Sequence, residues 1–125
     1  MAYPLSSISH TDERSMAQVR RLLEGEGLAL EGHLSYTCGL FDEEGRLIAT
    51  GSALGPTLRC FAVDPTHRGE GLLNEVVTHL MEWQAERGHF HLFLYTKPES
   101  ARFFADLGFH EIARVEGLVF LENRR

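Results

Sequence analysis

The sequence predicts an α/β fold in which a mixed central β-sheet is flanked by helices. Apolar residues recur at helical spacing over residues 71–87, so this segment is the clearest helix of the chain. Two strand-like runs, 34–41 and 46–54, flank a polar tip at 42–45, which is typical of a β-hairpin. A nearly continuous apolar run at 90–95 is expected to be a strand covered on both faces.

The other elements complete this α/β pattern along the chain. The remaining predicted elements are, in order, an edge strand at 3–9, a helix capped by Thr11 or Asp12 and ended by Gly25 and Gly27, a strand at 57–63, a short helix at 99–107, and closing strands at 109–115 and 118–122. The chain has no internal repeat, low-complexity segment or linker-like stretch. We therefore predict one domain spanning residues 1–125.

Composition excludes several classes of partner. The net charge is -6, from 12 Lys+Arg against 18 Asp+Glu, and no dense basic run offers a nucleic-acid patch. No stretch approaches the ~20 apolar residues of a membrane span, and the N-terminus lacks the apolar run of a secretory signal. Cys38 and Cys60 are not in a Cys-x-x-Cys pair and are predicted to be buried, reduced thiols. We therefore expect a cytoplasmic protein without nucleic-acid or membrane partners.

One segment, residues 63–72, carries the pattern of a binding site where a predicted strand runs into the clearest helix. Pro65 cannot donate to a strand ladder, so it ends the strand. Gly69 and Gly71 allow the positive φ angles that turn successive N–H groups inward, and the helix adds the positive end of its dipole. With Arg68 close by, these groups predict an anion site of pyrophosphate size.

Glycine spacing alone does not identify the ligand. On spacing alone, a plain strand-to-helix turn is the more common meaning of such a glycine pair, and that alternative stays open. A dinucleotide fingerprint requires a third glycine where this chain has Asn74, and a P-loop requires Gly-Lys-Ser/Thr, which is missing from this segment.

Two motifs give the segment a family resemblance. The run VDPTHRGEGLL at 63–73 resembles the acyl-CoA-binding motif of the GNAT superfamily, Gln/Arg-x-x-Gly-x-Gly/Ala. Arg68 and Gly71 match its first two fixed positions, and Leu73 departs from the third. The run ARFFADLGFHEI at 101–112 looks like the second motif of that superfamily. The resemblance implies a GNAT fold and a small-molecule thioester, acetyl-CoA or coenzyme A, as the cofactor.

The same resemblance implies where the cofactor binds. Strand-end residues would offer main-chain groups to the pantetheine, and the loop and helix start would offer amides to the pyrophosphate. The implied binding residues are Phe61, Ala62, Val63, Arg68, Gly69, Glu70, Gly71, Leu72, Leu73, Asn74 and Phe104.

A narrower resemblance covers the second half of the chain. The runs GEGLLNEVVTHL, HLFLYTKPE and GFHEIARVEGLVFLEN, which begin at 69, 91 and 108, are similar to the N-terminal domain of the citrate lyase ligase family. That likeness implies that the domain acts on the CoA-derived prosthetic group of an acyl carrier protein. The chain has no His-x-Gly-His motif of the nucleotidyltransferase domain that follows in that family, so we expect an excised domain or a stand-alone relative.

The catalytic residues are not identified by the resemblance. Many GNAT enzymes have a tyrosine after the phenylalanine of the second motif, which protonates the departing thiolate, but here Phe103 is followed by Phe104. The asparagine that is common at the strand end in this superfamily is also missing, and the sequence there reads Thr96-Lys97-Pro98. Position alone suggests Tyr95, Cys60 and Glu70 as candidates, although such residues are more often packed or solvated.

The seven histidines form no pattern typical of a metal site, and we expect no metal cofactor.

The sequence leaves three possible functions open. The first is an acyltransferase domain that handles CoA or a carrier-bound arm. The second is a module that binds that arm without turnover, and the third is a free-standing N-acetyltransferase with an unidentified amine substrate.

Overall fold

A computed structural model describes residues 3–124. Within this range the strands are β1 (Leu5–Ser7), β2 (Tyr36–Phe41), β3 (Leu47–Leu54), β4 (Thr57–Val63), β5 (Phe93–Thr96), β6 (His110–Val115) and β7 (Leu118–Glu122). The helices are α1 (Glu13–Gly25), α2 (Leu72–Glu86) and α3 (Ala101–Ala105), with 3₁₀ turns at Pro65–His67 and Pro98–Ser100. The predicted helix at 99–107 is therefore a 3₁₀ turn that continues into α3.

The strands form one seven-stranded sheet in the order β1-β2-β3-β4-β5-β7-β6. Neighbouring strands are antiparallel except for β4 and β5, which are parallel. The predicted mixed sheet with flanking helices is confirmed. That residues 1–125 form one domain stays a prediction.

Helices cover both faces of the first half of the sheet. α1 packs on β3 and β4 from one side, where Val19 and Leu23 are fully buried, and Asp12 caps its N-terminus by accepting from the Ser15 N–H at 3.2 Å. α2 packs on the other side, and its position is fixed by a glycine. A Cβ added to Gly51 of β3 would lie 2.6 Å from Cγ1 of Val76. This close approach sets the start of α2 beside the end of β4.

The prediction for residues 90–95 is wrong in two respects. The strand covers only Phe93–Thr96, and it is not covered on both faces. Leu92 and Leu94 are buried, but Phe90 is 72% and Tyr95 42% exposed. The reason is that α1 packs mainly on β3 and β4, which leaves the outer face of β5 partly exposed.

Candidate functional site

Strands β4 and β5 are paired only at their first residues and separate beyond them. Thr57 and Phe93 are the one paired position of these two parallel strands, and the Phe93 N–H donates to the Pro56 carbonyl at 3.0 Å. At the far end of β4, the Asp64 N–H donates to β3, to the Ile48 carbonyl at 2.8 Å. Main-chain groups alternate in direction along a strand, so those of the preceding residue, Val63, point away from β3 and into the gap between β4 and β5.

A β-bulge lies in the middle of β4. Ser52 pairs with Arg59, but Thr50 pairs with Ala62, so β4 carries one extra residue opposite β3. Cys60, within this bulge, has a positive φ of 57°, which is uncommon for a residue other than glycine.

The bulge changes which side chains share a face of the sheet. Cys60 packs with the α1 cluster, and both Cys60 and Arg59 contact Glu31, so two successive side chains lie on the α1 side. Phe61 and Val63 pack on the α2 side. The gap therefore has a polar side toward α1 and an apolar side toward α2.

A buried aspartate organises the turn after β4. The Asp64 carboxylate is 5% exposed and accepts from the Thr66 hydroxyl at 2.7 Å and the Thr66 N–H at 2.9 Å. These hydrogen bonds, with a smaller contribution from Arg46 at 3.2 Å, lower the pKa of Asp64. The chain is thereby turned through Pro65–His67 toward α2.

The predicted anion loop has the expected backbone geometry. Gly69 and Gly71 have φ angles of 85° and 77°, and Gly71 caps α2 without a side-chain hydrogen bond. The first helical bond is Glu75 N–H to the Gly71 carbonyl at 3.2 Å, and the N–H groups of 69–74 donate to no other atom of the described chain. A Cβ on either glycine would meet nothing within 4 Å, so the space beside both glycines is open.

Cationic side chains near the loop converge on one residue. Arg68 forms an ion pair of 2.5 Å with the Glu26 carboxylate, and Lys97 Nζ donates to the Glu26 carbonyl oxygen at 3.3 Å. Glu70 is half-exposed and lies 3.2 Å from His67 Nδ1. Of the loop's side chains, Arg68 is thus directed toward the end of α1 and Glu70 toward the preceding turn.

A second carboxylate gathers side chains from both edges of the gap. Glu31 accepts from Arg59 at 2.5 Å, from the Cys60 thiol at 3.5 Å and from the Tyr95 hydroxyl at 3.3 Å. Burial, followed by the Glu31 charge, raises the pKa of Tyr95. Burial is also the main cause that raises the pKa of Cys60.

Part of this cluster is predictable from positions in the sequence. The structure brings the candidates Tyr95 and Cys60 together, and it leaves Glu70 outside their cluster. Glu31 is not marked by the sequence, because it lies in an irregular segment without a motif. The prediction of two buried thiols holds for Cys38 and fails for Cys60, which is half-buried at the bulge.

Phe104 lies in the core. Its ring is 2% exposed and sits 5.7 Å from Phe61, 5.1 Å from Phe103 and 6.1 Å from Phe109, measured between ring centroids. It therefore backs the apolar side of the gap through Phe61.

Several histidines serve as hydrogen-bond partners. His79 bonds the Tyr36 hydroxyl at 2.7 Å, His89 bonds Gln84 at 2.8 Å, and His91 bonds Glu122. Within residues 3–124, no three His, Cys, Asp or Glu side chains are arranged to hold a metal ion. Over the same residues, no helix has the length and apolar character needed to cross a membrane.

The mixed sheet thus opens between its two parallel strands, and a glycine-containing loop lies at the opening. The family model described as the acetyltransferase (GNAT) family matches residues 3–109. The chain belongs to this family, which confirms the predicted fold and the predicted class of enzyme.

The chain is also similar to part of a larger enzyme. It is 34% identical over 115 residues to the [citrate [pro-3S]-lyase] ligase of Klebsiella pneumoniae, and the match covers 91% of this chain and 33% of the ligase. The identity to the ligase of Escherichia coli K12 is 31% over 117 residues, and this match covers 93% of this chain and 33% of the ligase. The chain thus spans about a third of the length of these relatives and resembles their N-terminal part.

Solved structures share the fold at low identity. An aminoglycoside 6'-N-acetyltransferase complexed with coenzyme A matches with a TM-score of 0.80 and 13% identity, over 95% of each chain. The ribosomal-protein-S18-alanine N-acetyltransferase of Escherichia coli matches with a TM-score of 0.71 and 19% identity, over 95% of this chain and 91% of its own.

Proposed function

We propose that this chain binds coenzyme A, or an arm derived from it, and transfers an acyl group from the thioester. The observation that carries the proposal is that two sets of main-chain groups without a partner among residues 3–124 meet at the end of β4. The N–H groups of 69–74 are free to bind a pyrophosphate, and Val63 presents main-chain groups to the gap. Both sets suit a ligand that joins a pyrophosphate to an extended amide chain.

Each part of the site has a separate task in this proposal. Gly69 and Gly71 hold the amides in a convergent arrangement, and Asp64 fixes the turn that delivers them. Phe61 and Val63, backed by the buried Phe104, exclude water from the α2 side of the gap. When bound, the thioester supplies an activated acyl group, and the chain's contribution is to hold donor and acceptor together, worth up to ~7–11 kcal/mol in well-oriented cases.

The acceptor we propose is the CoA-derived prosthetic group of an acyl carrier protein. The support is the likeness to the N-terminal part of two citrate lyase ligases, over at least 91% of this chain. A carrier-bound arm presents the same pyrophosphate and pantetheine groups as free coenzyme A, so the two compete for the loop and the gap. During transfer the loop holds acetyl-CoA, and the arm presents its thiol at the gap.

The test combines binding with transfer. Calorimetry with coenzyme A should show micromolar to sub-millimolar binding, because several amides converge on one anion. Purified protein should then be incubated with acetyl-CoA and either the carrier protein or small amines, with mass spectrometry of each acceptor. No heat and no thermal shift at millimolar coenzyme A would refute the binding proposal.

A second function is a module that binds the arm without turnover, and Phe104 is the observation that favours it. The family position that often carries a proton-donating tyrosine holds a phenylalanine here, 2% exposed in the core. Binding without any acetylated acceptor would support this module. Turnover of small amines above ~1 per second would instead support a free-standing N-acetyltransferase.

A further inference from the structure

Two cations flank the mouth of the gap and share one partner. β4 and β5 are parallel, so their C-terminal ends lie at the same edge of the sheet. Lys97 directly follows β5, and Arg68 lies in the loop after β4. Both side chains reach Glu26, the residue that follows α1. Glu26 thus bridges the two sides of the opening from the α1 face.

We propose that Lys97 is a ligand-binding residue and that Glu26 is a built-in counter-anion, which the pyrophosphate of the ligand displaces from Arg68. This inference rests on the proposed function, since it adds residues to the same anion site. In the free protein the Glu26 carboxylate neutralises Arg68. In the bound protein Arg68 pairs with the phosphate oxygens, and Lys97 adds a second positive charge at the mouth.

The exposure of the ion pair makes such an exchange feasible. The side chain of Arg68 is 59% exposed and that of Glu26 is 24% exposed. Exposed pairs contribute little net free energy, so a pyrophosphate that also receives several backbone N–H groups can replace the carboxylate. The need for cations is clear in a chain of net charge -6, whose overall field disfavours an anionic ligand.

A purely structural role for Glu26 makes the opposite prediction. If the ion pair only anchors the end of α1, removing the carboxylate loosens the mouth, and ligand affinity falls or stays the same. If Glu26 competes with the ligand, removing it raises affinity even though a stabilising contact is lost. The direction of the change therefore separates the two roles.

Binding of coenzyme A and of inorganic pyrophosphate should be measured by calorimetry at low salt for the full chain and its variants. Glu26→Gln keeps the carbonyl oxygen that Lys97 contacts and frees only Arg68. We expect it to bind both ligands about two- to five-fold tighter, while its melting temperature without ligand falls or is unchanged. Lys97→Met should bind about three- to ten-fold more weakly.

The matched control is Glu24→Gln, which removes the same charge from an exposed position on α1 that forms no ion pair within residues 3–124. It should change affinity less than Glu26→Gln does. The gain from Glu26→Gln should also vanish when Arg68→Gln is already present, because the freed cation is then missing.

The outcomes separate the two proposals. If the unmodified protein binds coenzyme A but Glu26→Gln binds no tighter than Glu24→Gln, the counter-anion role is refuted and the proposed function stands. Unchanged affinity in Lys97→Met refutes its role as a ligand-binding residue. If the unmodified protein binds neither coenzyme A nor pyrophosphate, both the proposed function and this inference are refuted.

Discussion

Replacing Gly71 with valine tests whether the loop is a binding element or only a turn. Gly71 has a φ of 77°, and a Cβ there meets nothing within 4 Å. The cost of valine is therefore conformational and not a clash. Left-handed backbone costs an L-residue roughly 1–2 kcal/mol, and a β-branched residue is especially disfavoured there. The open space lets the loop escape this strain by rotating, which turns the N–H groups of 69–74 away from a common point.

The expected loss of affinity follows from those amides. A hydrogen bond to a charged group contributes about 1.5–3 kcal/mol, so misdirecting one of them should weaken coenzyme A binding roughly 10- to 100-fold. The melting temperature should fall by several degrees, since each kcal/mol corresponds to roughly 3–6 °C in a domain of this size. Calorimetry and thermal unfolding measure the two effects separately.

Gly88 provides the matched control at the other end of α2. Its φ is 82°, and a Cβ there also meets nothing within 4 Å. The 15 residues of α2 place it about 22 Å from Gly71. Gly88→Val should therefore lower the melting temperature by a similar amount and leave affinity within about two-fold of the unmodified protein. Equal affinity in Gly71→Val and Gly88→Val would show that the glycine loop is only a strand-to-helix turn.

Three further predictions concern buried side chains. Burial raises the pKa of Cys38 from 9.0 to about 12, so the unfolded chain ionises first as pH rises. The free energy of unfolding should then fall from pH 9 toward 12 by up to about 1.4 kcal/mol per pH unit, and chemical denaturation of Cys38→Ala should lack that part of the slope. Asp64 has a lowered pKa, so its stabilisation is present above pH 3.8 and lost in acid. Asp64→Asn should cost about 1 kcal/mol at pH 7, and its denaturation midpoint should approach that of the unmodified protein below pH 4; a constant difference would contradict the assignment. Phe104→Tyr should lose about 1–3 kcal/mol by burying a hydroxyl, bind coenzyme A normally and still not acetylate small amines; thiol release from acetyl-CoA checks this, and rapid turnover would contradict it.

Elements with a strong local signal were predictable from the sequence. The sequence predicts the helix at 71–87 to within one residue at each end, because its buried positions Val76, Val77 and Leu80 repeat at helical spacing and glycines flank it. The conformation of the loop is predictable for the same reason, since glycine at positions 69 and 71 indicates positive φ angles from the local sequence alone. Such signals require no knowledge of the rest of the fold.

Features that depend on distant residues were not predictable. Glu31 meets Arg59 and Tyr95 from 28 and 64 residues away in sequence, and no periodicity connects them. The exposure of Tyr95 is not predictable from the sequence for a related reason. An apolar run shows that a strand is favourable, but it does not show that the neighbouring strand diverges and no helix covers the outer face.

Two departures from regular β-structure coincide in β4, and their coincidence is the strongest reason to place the site there. The parallel pairing with β5 is limited to Thr57 and Phe93, whereas every other neighbouring pair in the sheet has at least three paired positions. Three residues farther along β4, Cys60 holds a positive φ. Unpaired strand edges and strained backbone both reduce stability, and folded proteins retain such costs mainly at functional positions. A bound ligand with its own amides would pair the free edge of β4, so the same departures that weaken the sheet prepare it for an extended arm.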